Sequence, residues 1–584
     1  IRLENLYFKV LILARIMQKC KTIYPYYLTG LLIFIFISCN NQDKEKGDDI
    51  VNNPVSMNSR VTENIENELN DINAKAIKIY DSIALQLPVV VKGFYSKTGF
   101  APVWSSATKW NPLADSLYHF IATAEYEGLF PNDYHFKELK FLKDSLDADS
   151  VTRMNAVYWT KADLLFTDGF MHIIKDLKQG RLQPDSVSLN KDSVLVDKFF
   201  IATLNNLLQK KEFTVLLNSL QPHHKGYWEL KKGIKGFVDN MDRREYTRIS
   251  YPFKRGDARD SLFFIKALQK RLMESNCMDT INRLPDSSTL SRAIKKYQHA
   301  HGLQPDGRYG KKVIAALNNN DIEKFNRIAV TLDKYKQLPE KMPEKYIWVN
   351  LPGYYLWLID ADTLVFESKV ICGKPETPTP LLTSKISDLI TYPTWTVPNS
   401  IIVKQYLPRL KNNSNYISRI GLKLINSKGE VVDPTTINWS KYSRGIPYKV
   451  MQGSGDNNSL GIMKFNFANP YYVYLHDTNQ RYLFKNSSRA LSHGCVRVQE
   501  WEKLANFIAN NDSLLSSNKQ QLKYTADSIK SWIAKKEMHR IDVKNQIPLF
   551  IRYFTCEGKN GKIIFYDDIY GDDKKLIDKY VVKN

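Results

Sequence analysis

Ser492-His493-Gly494-Cys495-Val496-Arg497 is the stretch on which the reading of this chain turns. It sets a cysteine beside one histidine. A second histidine stands upstream in Tyr472-Val473-Tyr474-Leu475-His476-Asp477, a run that alternates with the period of a strand. A thiol is a strong nucleophile only as the thiolate, so a reactive cysteine needs an imidazole to take its proton. Gly494 has no Cβ, so substrate can approach the backbone closely, and the Gly494 and Cys495 N–H groups become candidate oxyanion donors. A packed thiol beside a satisfied imidazole is the commoner meaning of a Cys-His pair taken alone. The surrounding pattern separates the two meanings.

His476-Asp477-Thr478, followed at its spacing by Ser-His-Gly-Cys-Val-Arg, closely resembles the active-site signature of the L,D-transpeptidase family, the YkuD-type catalytic domain. Asn458-Ser459-Leu460-Gly461-Ile462-Met463-Lys464-Phe465 resembles that family's segment leading into the catalytic strand. Val349-Asn350-Leu351-Pro352 resembles the opening of its first strand. Gly373-Lys374-Pro375 through Thr379-Pro380, and Trp395-Thr396-Val397-Pro398-Asn399-Ser400-Ile401, are similar to the large periplasmic members. The resemblance covers about residues 340–510.

It implies an α+β multidomain protein with a mostly β catalytic domain. By the resemblance Cys495 is the nucleophile and His476 the general base; His493 shapes the site or competes as base. Gly494 and Cys495 offer the oxyanion hole. Arg497 holds a substrate carboxylate or forms a structural ion pair, and Ser492, Asn458 and Trp395 are expected at the substrate. The implied reaction cross-links peptidoglycan stem peptides through a cysteine acyl-enzyme, with no metal or organic cofactor, and makes the enzyme a carbapenem target. The alternatives are an L,D-carboxypeptidase, in which water resolves the thioester, or a non-catalytic wall-tethering lipoprotein.

The 584 residues are too many for one core. Hydrophobic residues at 43% and charged residues at 25% are ordinary globular composition. The net charge of +22 suits an anionic partner. The lysines form no block and no nucleic-acid motif occurs, so nucleic acid is the weaker reading. The cysteines Cys20, Cys39, Cys277, Cys372, Cys495 and Cys556 are too widely spaced for a CxxC metal pattern or a dense disulfide framework. A Cys277–Cys372 or a Cys372–Cys556 bridge is left open.

Residues 28–38 form a short apolar run after Lys19 and Lys21, with Met17 as a candidate start. The run is short for a membrane span and reads as an export signal. Ser38 before Cys39 resembles a lipoprotein signal, although Phe36 stands where leucine is usual. Cys39 is then the lipidated residue, anchoring the protein to a membrane on the periplasmic side of the envelope; an ordinary transmembrane anchor is the alternative.

The expected order is a leader at 1–39, a polar tether at 40–65, a helical scaffold at 66–250 and a three-helix, peptidoglycan-binding-like unit at 251–322. The catalytic domain follows at 340–515, and a C-terminal extension at 516–584 completes a sheet. The three-helix unit rests on Tyr297-Gln298, Gly302-Leu303, Asp306-Gly307 and Gly310, and a spacer that binds nothing is its rival reading. A long polar insertion spans 403–447; the resemblance implies that it caps the site, with Tyr406, Trp439 and Tyr442 either lining a groove or packing the insertion.

Overall fold

The computed structural model describes residues 49–580, except 71, 74–76, 81, 185–186, 190–194, 251–257, 281–282, 302 and 516–523. The expected export segment, Cys20 and Cys39 lie outside the described residues, as does Gly302. No described helix is long and apolar enough to cross a membrane.

The chain divides into two compact units. The first holds residues up to Tyr118 together with Tyr134–Met171. Its helix Met57–Asn70 buries Met57, Val61, Ile65 and Leu69, a four-residue spacing that lays one stripe on the core. Several buried polar groups there pair with one another. Trp104 donates from Nε1 to Thr167 at 2.8 Å and from its backbone N–H to Asp163 at 2.9 Å, and the Tyr95 hydroxyl bonds Asp163 and Thr167. His135 pairs with Asp168 at 2.6 Å, a core role rather than a ligand role. The second unit takes His119–Asp133 and everything from His172 onward. The range expected as scaffold, 66–250, contributes residues to both units.

Within that second unit, helices Ala258–Glu274, Ser287–Ala300 and Lys311–Asn318 enclose a core of their own that includes Leu268, Leu272, Ile294, Tyr297 and Leu317. Gln298 pins the turn that the sequence marked, donating to Asp306 at 2.7 Å and accepting from Gly307 N–H at 2.8 Å. The ends of this bundle are clasped: Ile249 and Asn318 exchange bonds of 2.9 and 2.8 Å. The bundle thus runs from Ile249 to Asn318. The expected end at 322 cuts into the next helix, Asp321–Lys336, which is capped by Asn320 and packs against helix Lys225–Asp239.

The region expected to be catalytic is built from β1 (Lys345–Asn350), β2 (Tyr355–Asp360), β3 (Thr363–Gly373), β4 (Leu382–Thr391), β5 (Trp395–Thr396), β6 (Leu422–Ile425), β7 (Val431–Val432), β8 (Lys449–Gln452), β9 (Met463–Phe467), β10 (Leu475–His476), β11 (Ala490–Ser492), β12 (Val496–Val498), β13 (Arg540–Asp542) and β14 (Pro548–Arg552). The first strand begins ahead of the expected Val349. The main sheet runs β9-β10-β12-β3-β2-β1-β14-β4, and β4 pairs back with β9, so the sheet closes on itself. β1 and β14 are apolar on both faces. Ile347, Val349, Leu549 and Ile551 enter the enclosed core, while Trp348 and Phe550 pack outside it. Burial on both faces is why these strands read as continuous rather than alternating runs.

Helix Trp501–Leu515 lays Trp501, Leu504, Ala505, Ile508 and Ala509 on that core. Each fully buried leucine or isoleucine there contributes about 1.5–3 kcal/mol. This helix occupies ground expected to open a linker after Asn511. The C-terminal extension is not an appendage, since β14 sits between β1 and β4. Its hairpin, β15 (Cys556–Lys559) and β16 (Lys562–Phe565), forms a separate two-stranded sheet.

The insertion is also ordered. A four-stranded sheet β7-β6-β8-β5 surrounds a core containing Ile402, Leu410, Ile417, Trp439 and Val450, so the folded insertion extends from Trp395 to Gln452. Cys277, Cys372 and Cys556 are buried free thiols, and neither of the two bridges left open by the sequence is formed.

Candidate functional site

β10 and β12 run side by side and parallel, with Leu475 opposite Val496 and His476 opposite Arg497. This register brings two distant segments of sequence together, with Cys495 immediately before β12. Cys495, His476, His493, Ser492, Arg497, Trp395, Tyr406 and Tyr474 all line one cleft of ≈ 800 Å³. The expected nucleophile and both histidines are therefore gathered in one place. Asn458 is not: it is 2% exposed and outside the cleft lining.

The Cys495 loop is fixed by its own polar groups. Ser492 Oγ donates to the Cys495 carbonyl at 2.5 Å and accepts the Gly494 N–H at 3.1 Å. Thr379 Oγ1 donates to the Gly494 carbonyl at 2.8 Å, and accepts from Gly373 N–H at 2.9 Å. Gly494 has φ +120, a conformation that only glycine adopts without strain. These bonds correct two expectations. The Ser492 hydroxyl is spent on the loop rather than on substrate, and the Gly494 N–H is already taken. Of the two expected oxyanion donors, the Cys495 N–H is the one not engaged in this way. Asn458 likewise holds a loop, donating to the Gly453 carbonyl at 2.8 Å and accepting from Leu460 N–H at 2.8 Å.

His476 is 4% exposed. Its Nδ1 bonds the carbonyl of Asp477, which can only accept, so the proton sits on Nδ1 and Nε2 keeps its lone pair. Burial, and after it the Arg497 guanidinium, push the imidazole down to about 3; the Asp477 and Leu460 carbonyls pull the other way, and Lys464 adds the smallest downward push. The ring is neutral at ordinary pH. Asp477 is itself buried and braces the turn before β9, accepting from Ile462 N–H at 2.9 Å and from Arg481 at 2.6 Å. Gly461 turns there with φ +65, and a Cβ would lie 2.3 Å from Asp477 Oδ2. No other residue fits.

Cys495 is half-buried. Burial raises its thiol, opposed by hydrogen bonds from Tyr474 and by the positive charges of Lys464 and Arg497. The resting pair is therefore thiol and neutral imidazole rather than an ion pair. Arg497 donates to Gln480 at 3.2 Å, and its buried Nε has no partner among the described residues. It makes no structural ion pair there. His493 is exposed and bonds Gln405 of the insertion, a residue in a π-helical turn, Ile402–Tyr406. Such turns recur at functional sites. Trp395 bonds the Tyr474 hydroxyl. Tyr406 lines the cleft, whereas Trp439 and Tyr442 pack the insertion.

Sequence reasoning missed Gln405, Lys464 and Tyr570. The Tyr570 hydroxyl, from the C-terminal extension, donates to the Gly373 carbonyl at 2.8 Å and accepts from Thr379 N–H at 3.2 Å, so it braces the strut beneath Gly494. Lys464 lies in the 458–465 segment quoted above, but nothing in that pattern gives it a role, and no local pattern marks Gln405 or Tyr570; each is brought in by the fold.

Three families match separate parts of the chain: "Scaffold domain" at residues 90–234, "Putative peptidoglycan binding domain" at 264–317 and "L,D-transpeptidase catalytic domain" at 344–516. A curated relative from Haemophilus influenzae, named "Putative L,D-transpeptidase", is 32% identical over 250 residues, which are 43% of this chain and 48% of the relative. The match thus spans about half the length of that relative. Among solved structures, an Enterococcus faecium L,D-transpeptidase mutant is 13% identical over 37% of this chain and 52% of its own, with a TM-score of 0.17. An L,D-transpeptidase from Mycobacterium smegmatis is 11% identical over 36% of this chain and 58% of its own, also with a TM-score of 0.17.

Proposed function

We propose that this chain, which carries the L,D-transpeptidase catalytic domain at residues 344–516, cross-links peptidoglycan stem peptides through an acyl-enzyme on Cys495. The observation that carries the reading is the convergence in one cleft of Cys495, a neutral His476 held at Nδ1 by the Asp477 carbonyl, and an Arg497 without a carboxylate partner among the described residues.

In this reading Cys495 attacks the carbonyl of the third stem residue as His476 Nε2 takes the thiol proton. The thiol is held up and the imidazole down, so proton transfer accompanies C–S bond formation instead of preceding it. The oxyanion falls to the Cys495 N–H. Collapse breaks the peptide bond, and the leaving amine of the terminal D-alanine takes the proton from His476. A side-chain amine of a second stem then attacks the thioester, returns the thiol and forms the cross-link. Arg497 holds a stem carboxylate, a group its planar fork fits. The three-helix bundle supplies contact with the wall, in keeping with its family match.

The same reading takes the protein to be an exported lipoprotein on the periplasmic side of the envelope, supported by the apolar run before Cys39. Incorporation of a labelled fatty acid by wild type and not by Cys39→Ala is the expected outcome.

Incubating the purified chain with tetrapeptide-bearing wall and weighing the muropeptides tests the activity. Cross-linked dimers are expected from wild type and none from Cys495→Ser, whose alcohol is far less acidic than a thiol. A carbapenem is expected to add its mass to the peptide containing Cys495. Tripeptides without dimers would assign the chain to L,D-carboxypeptidase chemistry, and an adduct on Cys372 would overturn the nucleophile.

A further inference from the structure

β9 lies beside β10 in an antiparallel ladder in which Lys464 stands directly opposite His476. Cross-strand partners share a face, with Cβ atoms about 4.5–5.5 Å apart. Tyr474, two residues before His476, shares that face too. The Lys464 Nζ lies 4.1 Å from the centroid of the Tyr474 ring, and that ring meets the His476 ring edge-on at 5.6 Å. Lys464 is half-buried and is absent from the cleft lining, so it stands behind the residues that meet substrate. The nearest acidic side chain on the neighbouring strand, Asp388, is occupied by Arg540 at 3.3 Å and by Asn466 at 2.7 Å. Lys464 makes no ion pair among the described residues.

We propose that Lys464 is a positioning residue for the reaction: its ammonium, placed behind Tyr474 and opposite His476, favours departure of the proton from Cys495. The proposal rests on Cys495 being the nucleophile. The effect at the thiol favours loss of the proton, while at His476 the same charge disfavours the protonated ring, so the thiol is the group on which the proposal is read. A cation against the ring face makes the Tyr474 hydroxyl a stronger donor, and that hydroxyl bonds Cys495. The same charge stabilises a thiolate and opposes an imidazolium. Facing Cys495 are Tyr474, Lys464 and Arg497; facing His476 are Arg497 and Lys464; facing Lys464 are Cys495, Asp388 and Arg540. No carboxylate directly confronts the thiol in this set, so removal of a cation has no local compensation. Lys464 works on the proton without touching substrate.

The test is the pH dependence of Cys495 alkylation by iodoacetamide on the full chain, with the modified peptide identified by mass. Lys464→Met is expected to shift the profile toward higher pH by about 0.5–1 unit, slowing alkylation about 3–10-fold at neutral pH. Lys464→Arg is expected to restore most of the wild-type profile, because it returns the charge. Carbapenem acylation of Lys464→Met is expected to slow in parallel while the thermal midpoint stays near that of wild type. If the methionine variant fails to fold, Lys464→Gln, which keeps a polar tip without the charge, reads the same shift. A profile of Lys464→Met or Lys464→Gln that superimposes on wild type overturns the proposal, as does failure of Lys464→Arg to restore it. A wild type that alkylates at Cys495 but forms no thioester with stem peptide or carbapenem would instead overturn the proposed activity.

Discussion

Among the described residues the Arg497 guanidinium bonds the Gln480 side chain, at 3.2 Å, and leaves a buried Nε unpaired, so it carries a desolvation cost that a bound carboxylate would relieve. The positive charge also helps keep His476 neutral. Replacing Arg497 by lysine keeps the charge but loses the two-pronged fork. A fall in kcat/KM of about tenfold, expressed mainly in KM, is expected for a soluble tetrapeptide, corresponding to about 1.4 kcal/mol. Arg497→Leu removes the charge as well and is expected to cost about 100-fold, with a melting temperature equal to or above that of wild type, because an orphaned buried polar group is removed. Loss of stability with unchanged KM would make the residue structural. Cys495, His476 and Arg497 were legible because their spacing is a local pattern. Lys464 was not, since its meaning comes from standing across a ladder from His476. Ser492 and Gly494 were legible as site residues but not in their roles, because the hydroxyl-to-backbone bonds that occupy them depend on the turn itself.

At the scale of elements, the Cys495 loop is held from beneath by a chain of groups from three segments. Gly494 leans on Thr379, Thr379 on Gly373, and Tyr570 ties Gly373 to Thr379. Tyr570→Phe keeps the ring and deletes one hydroxyl that makes both bonds. It is expected to destabilise the fold by about 1–2 kcal/mol, read by urea unfolding. The acylation rate is expected to fall several-fold with little change in affinity, since the strut sets the position of the nucleophile rather than the shape of the cleft. Rescue of kcat at low temperature would be consistent with this account, whereas unaltered acylation would limit Tyr570 to packing. The strands themselves were legible in part. Ile547 to Phe554 reads as a strand, but its place between β1 and β4 does not, because pairing partners so distant in sequence leave no periodic trace. The insertion looked like polar loop because its buried residues, such as Ile417 and Trp439, are spread among exposed lysines and asparagines.

Across the whole molecule, the three-helix bundle holds no residue of the Cys495 cleft and has a closed core of its own. Its entry and exit are clasped by the Ile249 and Asn318 bonds, so excising residues 249–318 joins two chain ends that already lie side by side. The helix that follows is capped independently by Asn320 and keeps its packing on Lys225–Asp239. The excised protein is therefore expected to fold and to acylate with a carbapenem at close to the wild-type rate. On insoluble wall the outcome is expected to differ, because a second contact raises the effective concentration of substrate at the cleft. Sacculus binding is expected to fall by about tenfold or more, and turnover of wall to fall with it, while turnover of a soluble tetrapeptide changes less than twofold. The overall charge of +22 predicts that some binding to an anionic polymer survives excision, and that this residue of binding is lost on raising ionic strength. A pull-down with sacculi at low and high salt separates the two contributions. Equal binding by the excised and intact proteins at high salt would leave the bundle a spacer.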